Sequence, residues 1–105
     1  MRQIKQTSAF KRDLKREAKG RHREALSEEF VVLVTRLAKN ELLEERYHDH
    51  ALSGDWKDHR DCHLRPDLVL IYRKLDEPEN PDQGANLKTG TLQLIRLGSH
   101  SELGL

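Results

Sequence analysis

An unbroken apolar run, Leu68–Tyr72, lies in the second half of this 105-residue chain. A strand with one face in water alternates apolar and polar residues, so a run that is apolar throughout predicts a strand buried on both faces. We therefore expect residues 68–74 to form a central strand of a sheet. The preceding Arg65-Pro66-Asp67 predicts a tight turn, because proline suits its second position. That turn implies an antiparallel strand over 56–64.

Two stripes of apolar residues with helical spacing precede this sheet. Phe10, Leu14 and Ala18 recur every four residues and predict a first helix. Thr7 or Ser8 can cap its start. A second stripe predicts another helix over 23–39.

A short strand over 2–6 and a last strand over 91–97 complete the predicted order, β-α-α-β-β-β. Helices segregated from a run of strands are typical of the α+β class. We expect one domain, 1–105, with two N-terminal helices packed on a small antiparallel sheet. A long loop is predicted over 76–90, which is rich in Pro, Asn, Asp and Gly.

Composition limits where such a chain can work. No apolar run is long enough to span a membrane, and the N-terminus has no apolar stretch of the signal-peptide type. The only cysteine, Cys62, cannot form an intramolecular disulfide. We therefore expect a cytoplasmic protein in which Cys62 fills space in the core.

Charge is concentrated at the N-terminus, although the chain as a whole carries a net charge of only +1. Residues 1–23 hold nine Lys and Arg against two acidic residues, a net of +7. Such a segment is typical of a polyanion binder.

Histidines and acidic residues are interleaved in the second half of the chain. Histidine gives and takes protons near neutral pH, and RNA cleavage without a metal needs such a group twice, as base and as acid. Candidates for the proton transfers are His50, His63, Asp67 and His100.

Cations that could meet the phosphate charge lie close to these residues in the sequence. They are Lys57, Arg60, Arg65, Arg73 and Arg96. Alternation along a strand would place Asp61, His63 and Arg65 on one face, so that all three could meet a substrate.

A zinc site is the alternative use of the same histidines. His48, His50 and His63 could supply three nitrogen ligands. No CxxC or HExxH pattern accompanies them. We therefore expect neither a metal nor a cofactor.

The stretch DHALSGDWKDHRDCHLRPDLVLIYRK, residues 49–74, resembles the YafQ-type branch of the RelE/ParE toxin superfamily, and LIRLGSHSEL, residues 94–103, resembles the closing motif of that family. The resemblance implies a RelE-like fold and a ribosome-dependent endoribonuclease that cleaves mRNA and is held inactive by an antitoxin of the RelB or DinJ kind. It also implies that an antitoxin complex can bind operator DNA.

The resemblance further implies site residues by position. His50, His63, Asp67 and His100 match catalytic positions of the family. Asp61 matches an acidic position and Arg96 a basic one.

Two departures from the family pattern are visible. Gly104 stands where relatives often carry a phenylalanine, and the 76–90 loop is long for the family.

Two other functions fit the same fold. One is a ParE-like toxin that inhibits a topoisomerase by binding, and the other is a non-catalytic module that only pairs with its antitoxin. The several histidines argue against both, because binding needs no acid–base pair.

Overall fold

A computed structural model describes residues 1–75 and 90–105 of the chain. The elements, in chain order, are β1 (Gln3–Gln6), α1 (Ser8–Glu17), α2 (Glu28–Ala38), β2 (His50–Ala51), β3 (Arg60–Arg65), β4 (Leu68–Leu75), β5 (Thr91–Gly98) and α3 (His100–Leu103). Short 3-10 turns span Arg23–Leu26, Glu45–Tyr47 and Gly54–Trp56. The loop predicted over 76–90 lies, except for Gly90, outside the described residues.

The strands form one five-stranded sheet in the order β1-β5-β4-β3-β2. The α+β class is confirmed, but the sheet is mixed. β1 runs parallel to β5, with Gln3 opposite Thr91, and the other pairs are antiparallel. The chain leaves β1 directly into α1, which packs over β5, so β1 joins the edge as the start of a crossover and not of a hairpin.

The apolar run on β4 is central and buried on both faces, as predicted. Leu68, Leu70 and Tyr72 belong to the core beneath α1 and α2. Val69 and Ile71 face the other way and pack with Leu103 of α3.

The second predicted helix is interrupted at Ser27. Residues Arg23–Leu26 form a 3-10 turn, and α2 starts only at Glu28. The Ser27 hydroxyl donates a hydrogen bond to the carbonyl oxygen of Glu24 (2.8 Å), which satisfies the backbone locally and competes with continuous helix.

The start of β3 and the segment after β5 also differ from the prediction. The strand begins at Arg60 and not near Trp56, because Gly54–Trp56 forms a 3-10 turn and Asp58 adopts a left-handed backbone (φ 70°). Beyond β5, where no further element was predicted, the chain forms α3, which starts at a capping box between Ser99 and Glu102.

None of the helices that the structure describes is long and apolar enough to cross a membrane.

Candidate active site

Four histidines converge at one end of the sheet, on the face opposite α1 and α2. The His63 ring is central. Its centroid lies 5.5 Å from the ring of His48, 6.2 Å from that of His50 and 5.1 Å from that of His100. These four residues are called the histidine cluster below.

Strand geometry explains why these side chains meet. Asp61 and His63 alternate with Cys62 and Leu64, which point into the core under the helices. Pairing of β2 with β3 then sets His50 opposite Asp61. His100 arrives from the other side, as the first residue of α3.

Asp61 and His63 form a buried polar pair at the centre of the cluster. The side chain of Asp61 is 3% exposed and that of His63 16%. Asp61 Oδ1 lies 3.9 Å from His63 Nε2, and neither atom has a hydrogen-bond partner among the described residues. Buried polar atoms of native proteins are normally satisfied, so an unsatisfied pair points to a functional role.

The electrostatics of the pair follow from burial. Burial raises the pKa of Asp61, and the neighbouring histidines offset this only in part. Burial lowers the pKa of His63, and the carboxylate of Asp61 opposes that effect without cancelling it.

His50 is oriented by the backbone. Its Nδ1 lies 2.6 Å from the carbonyl oxygen of His48 and 2.9 Å from Asp61 Oδ1. The carbonyl contact has hydrogen-bond geometry, whereas the Asp61 contact does not. Nε2 is therefore the nitrogen that His50 can present to a substrate.

His100 is held by Asp67, in the turn before β4. The main-chain N–H of His100 donates to Asp67 Oδ1 (3.4 Å), and the ring Nδ1 lies 3.5 Å from the same oxygen. Arg21 lies 2.9 Å from Asp67 Oδ2. The slight burial of Asp67 would raise its pKa, but the bonds from His100 and the charge of Arg21 lower it overall.

Asp49, between His48 and His50, is anchored to the sheet. It accepts hydrogen bonds from the Tyr72 hydroxyl and from Arg60 Nε. Burial, followed by the bond to Asp49, raises the pKa of Tyr72, which keeps its hydroxyl protonated as a donor. No local sequence signal indicates this contact, because residues 49 and 72 are far apart in the chain.

Three of the predicted cations are engaged by other side chains. Arg96 binds the buried Asp13 of α1 through Nε (2.6 Å) and Nη2 (3.2 Å). A bulge between His63 and Arg65 breaks the alternation expected for 61, 63 and 65, and Arg65 pairs with Glu29 of α2. Arg73 binds Gln93.

The other two predicted cations are Arg60 and Lys57. Arg60 donates hydrogen bonds to Asp49 and Tyr72, and Lys57 is exposed in the turn before β3. Among the described arginines, Arg21 is the one that forms an ion pair with Asp67, the residue that contacts His100. It belongs to the basic N-terminal segment, and its role at this site was not predicted.

Cys62 was expected to fill space in the core, and His59 is the remaining histidine of this region. Cys62 is fully buried and burial raises the pKa of its thiol, which fits a core residue and not a nucleophile. The His59 ring packs on Trp56, at 5.5 Å between centroids, and lies outside the cluster.

Two cavities meet at the cluster. One, of about 810 Å³, is lined by residues of α2, the Arg46–His50 segment and the end of β3. The other, of about 700 Å³, is lined by His100, Trp56 and the C-terminal residues. His50 and His63 line both, so a strand of substrate crossing from one cavity to the other would pass over these two rings. No group of three or more His, Cys, Asp or Glu in the described part of the chain is arranged to hold a metal ion.

Comparison with known protein families identifies the family of this chain. Residues 2–104 match the model of the bacterial toxin of the type II toxin-antitoxin system, YafQ. The chain belongs to the YafQ toxin family. The resemblance inferred from residues 49–74 and 94–103 is therefore confirmed.

Relatives match almost the whole length of this chain. The mRNA interferase toxin YafQ of Escherichia coli (strain K12) is 38% identical over 103 residues, which cover 97% of this chain and 95% of that one. A crystal structure of a metal-bound toxin from Helicobacter pylori has a TM-score of 0.73 at 39% identity, covering 98% and 99% of the two chains. YafQ in an E. coli DinJ-YafQ complex has a TM-score of 0.71 at 32% identity and 98% coverage of both chains.

Proposed function

We propose that this YafQ-family toxin is an mRNA interferase, an endoribonuclease that cuts mRNA on the ribosome by acid–base catalysis with histidines. The observation that carries the proposal is the buried, unsatisfied Asp61–His63 pair surrounded by three further histidines. The name of the E. coli relative supports the reaction class.

His63 is the base in this proposal. Its lowered pKa leaves the ring neutral at physiological pH, as a base must be at the start of the reaction. Because Nε2 is buried beside Asp61, Nδ1 is the nitrogen that accepts the proton of the 2′-hydroxyl. The carboxylate of Asp61 then stabilises the imidazolium that forms.

His100 is the acid. The 2′-oxygen attacks phosphorus, the bond from phosphorus to the 5′-oxygen breaks, and His100 donates a proton to the leaving oxygen. The products are a 2′,3′-cyclic phosphate and a free 5′-hydroxyl. Asp67 positions His100 through its main-chain N–H and its ring.

Negative charge that develops on the phosphate oxygens in the transition state is stabilised by hydrogen-bond donors directed at those oxygens. The exposed Arg21 is the donor that the geometry offers. His50 Nδ1–H is donated to the His48 carbonyl oxygen, so Nε2 is a donor only when the ring carries both protons. Arg96, the cation implied by family position, is engaged with Asp13 instead.

We further propose an antitoxin of the DinJ kind as the partner, since a YafQ relative forms a complex with DinJ. The net charge of +7 in residues 1–23 suits an acidic antitoxin segment and ribosomal RNA. Acid–base cleavage by the cluster requires no metal, so activity should survive chelation by EDTA once the magnesium needed by the ribosomes is restored.

The proposal is tested by mapping mRNA ends in cells that express the wild type, His100→Ala or His59→Ala. Cuts within translated frames should appear with the wild type and with His59→Ala, and they should be lost with His100→Ala. A growth defect without new mRNA ends would instead favour the ParE-like or purely binding functions.

A further inference from the structure

The cavity of about 810 Å³ beside the histidine cluster contains no residue of α3. It extends from His50 and His63 toward α2, away from His100. Because it shares these two histidines with the reacting centre, whatever occupies it lies next to the bond that is cut. The cavity is large enough for a nucleobase with its sugar.

Its outer wall carries a stacked guanidinium. The Arg46 guanidinium carbon lies 4.8 Å from the centroid of the Tyr47 ring, and Arg46 Nη2 donates to the Tyr47 hydroxyl at 2.8 Å. Tyr47 is buried, while the Arg46 side chain is 65% exposed. The Tyr47 ring thus covers one face of the guanidinium, whose Nε also pairs with Glu44 at 3.3 Å. Stacking of a guanidinium face on a base is a mode that arginine uses in RNA recognition.

The inner wall carries a carboxylate. Glu29 of α2 accepts hydrogen bonds from the Tyr47 hydroxyl (3.3 Å) and from Arg65 Nη1. A carboxylate has about four acceptor sites, so Glu29 retains capacity for a further donor, and its side chain is 27% exposed.

The two walls together define the chemistry of the occupant. Arg46 and Arg65 also line the cavity, and Arg65 is paired with Glu29. A carboxylate only accepts hydrogen bonds, so the remaining acceptor sites of Glu29 suit the donor edge of a base and not a phosphate oxygen. The free acceptor capacity of Glu29 favours a base with an exocyclic amine, which adenine, cytosine and guanine carry and uracil lacks.

We propose that this cavity is a base-specificity subsite, in which Arg46 stacks on a nucleobase next to the scissile phosphate and Glu29 accepts a hydrogen bond from its exocyclic amine. The inference rests on the RNA cleavage proposed above. It predicts that one position beside the cut discriminates against uracil, and that this discrimination is separate from the chemistry of the histidines.

The test is a cleavage assay on ribosomes programmed with mRNAs that carry each of the four bases at the positions flanking a cut. The Glu29→Gln substitution replaces one carboxylate oxygen, an acceptor, by an amide NH2 group, a donor, with little change in side-chain shape. Discrimination against uracil at one flanking position should fall by about tenfold, the worth of one hydrogen bond to a charged group. Arg46→Ala should weaken base preference at the same position. Glu24→Gln is the matched control, because Glu24 is an exposed glutamate that lines neither cavity at the cluster.

Each outcome is decisive. Unchanged base preference in both Glu29→Gln and Arg46→Ala overturns the subsite. A uniform loss of rate at every sequence also overturns it, and assigns these residues to folding or to ribosome binding. Absence of cleavage by the wild type contradicts the proposed function itself, which keeps the two failures distinct.

Discussion

Asp61 Oδ1 lies 3.9 Å from His63 Nε2, at the end of the sheet where the four histidines meet. Neither atom has a hydrogen bond among the described residues. Leaving a buried polar atom unsatisfied costs about 1–3 kcal/mol. The pair would be closer to ideal if His63 carried a second proton, because the imidazolium would then meet a carboxylate. Burial nevertheless keeps the resting ring neutral, so this attraction is realised only when His63 accepts a proton during the reaction.

The pH dependence of cleavage follows from this relationship. Burial lowers the pKa of His63, and a base acts only when it is unprotonated. The rate should therefore rise with a midpoint below the ordinary histidine value of about 6.5, and should fall again at higher pH as the acid loses its proton. Single-turnover rates on programmed ribosomes, from about pH 5 to about pH 9, measure both limbs. A flat profile would exclude a histidine pair from the rate-limiting chemistry.

Asp61→Asn should stabilise the fold while slowing cleavage. The pKa of Asp61 is raised in the folded state, so ionisation of this buried group costs folding free energy as pH rises from about 4 through the raised value. Asparagine avoids that cost. The variant should be more stable than the wild type at neutral pH by on the order of 1 kcal/mol, and the gap should close below about pH 4.

Urea unfolding of both proteins at several pH values checks this expectation. A variant that is less stable at neutral pH would show that the Asp61 carboxylate holds the sheet end together and is not an unfavourable buried charge.

The ion pair between Asp13 and Arg96 should matter for stability and not for chemistry. Asp13 is 3% exposed and accepts bonds from Arg96 and from the main-chain N–H of Leu97. Burial would raise its pKa, but these bonds and the charges of Arg96 and Arg16 lower it overall. Its contribution to stability is thus present above the unfolded value of about 4 and is lost as pH falls through the lower folded value.

Asp13→Asn should therefore lose about 3 kcal/mol of unfolding free energy at neutral pH, in the range for a broken buried pair. Arg96→Ala should also be destabilised, while the folded fraction of each variant cleaves RNA at nearly the wild-type rate. Chemical unfolding and single-turnover cleavage, measured on the same samples, separate the two effects. A stable Arg96→Ala protein with much slower cleavage would return Arg96 to the catalytic site.

Tyr72→Phe should loosen the segment that carries His48 and His50. The hydroxyl that anchors Asp49 is removed, while the aromatic ring stays in the core. Unfolding free energy should fall by about 1.5–3 kcal/mol, as for one hydrogen bond to a charged group. Amide hydrogen exchange should speed up at residues 48–50 more than elsewhere. Equal protection of these amides in both proteins would mean that Arg60 alone suffices to hold Asp49.

Much of the fold could be predicted because its signals are local. The apolar run of Leu68–Tyr72 placed the central strand, and the stripe through Phe10 and Leu14 placed α1. The start of α3 also had a local signal, since Ser99 and Glu102 have the spacing of a capping box. The parallel pairing of β1 with β5 had no local sequence signal, because Ile4 is compatible with either edge of the sheet.

The candidate site could be predicted in part for the same reason. Alternation along β3 places Asp61 and His63 together, and the turn at Pro66 brings Asp67 near. The partners of the arginines depend on contacts between residues far apart in the chain, such as Arg96 with Asp13 and Arg65 with Glu29. Charge patterns in the sequence do not show whether an arginine is already paired. The sequence therefore suggested Arg65 and Arg96 as phosphate-binding cations without indicating that each has an acidic partner.

The central claim is that His63 and His100 carry the proton transfers. Single-turnover cleavage on programmed ribosomes at saturating toxin, with wild type, His63→Ala, His100→Ala and His59→Ala, tests it most directly. Loss of an acid–base group costs on the order of 100- to 10,000-fold, so the first two variants should be slower by that factor while still binding ribosomes. His59→Ala should match the wild type, because His59 lies outside the cluster. Rates within about threefold of wild type for His63→Ala or His100→Ala, far less than an acid–base group contributes, would contradict the account.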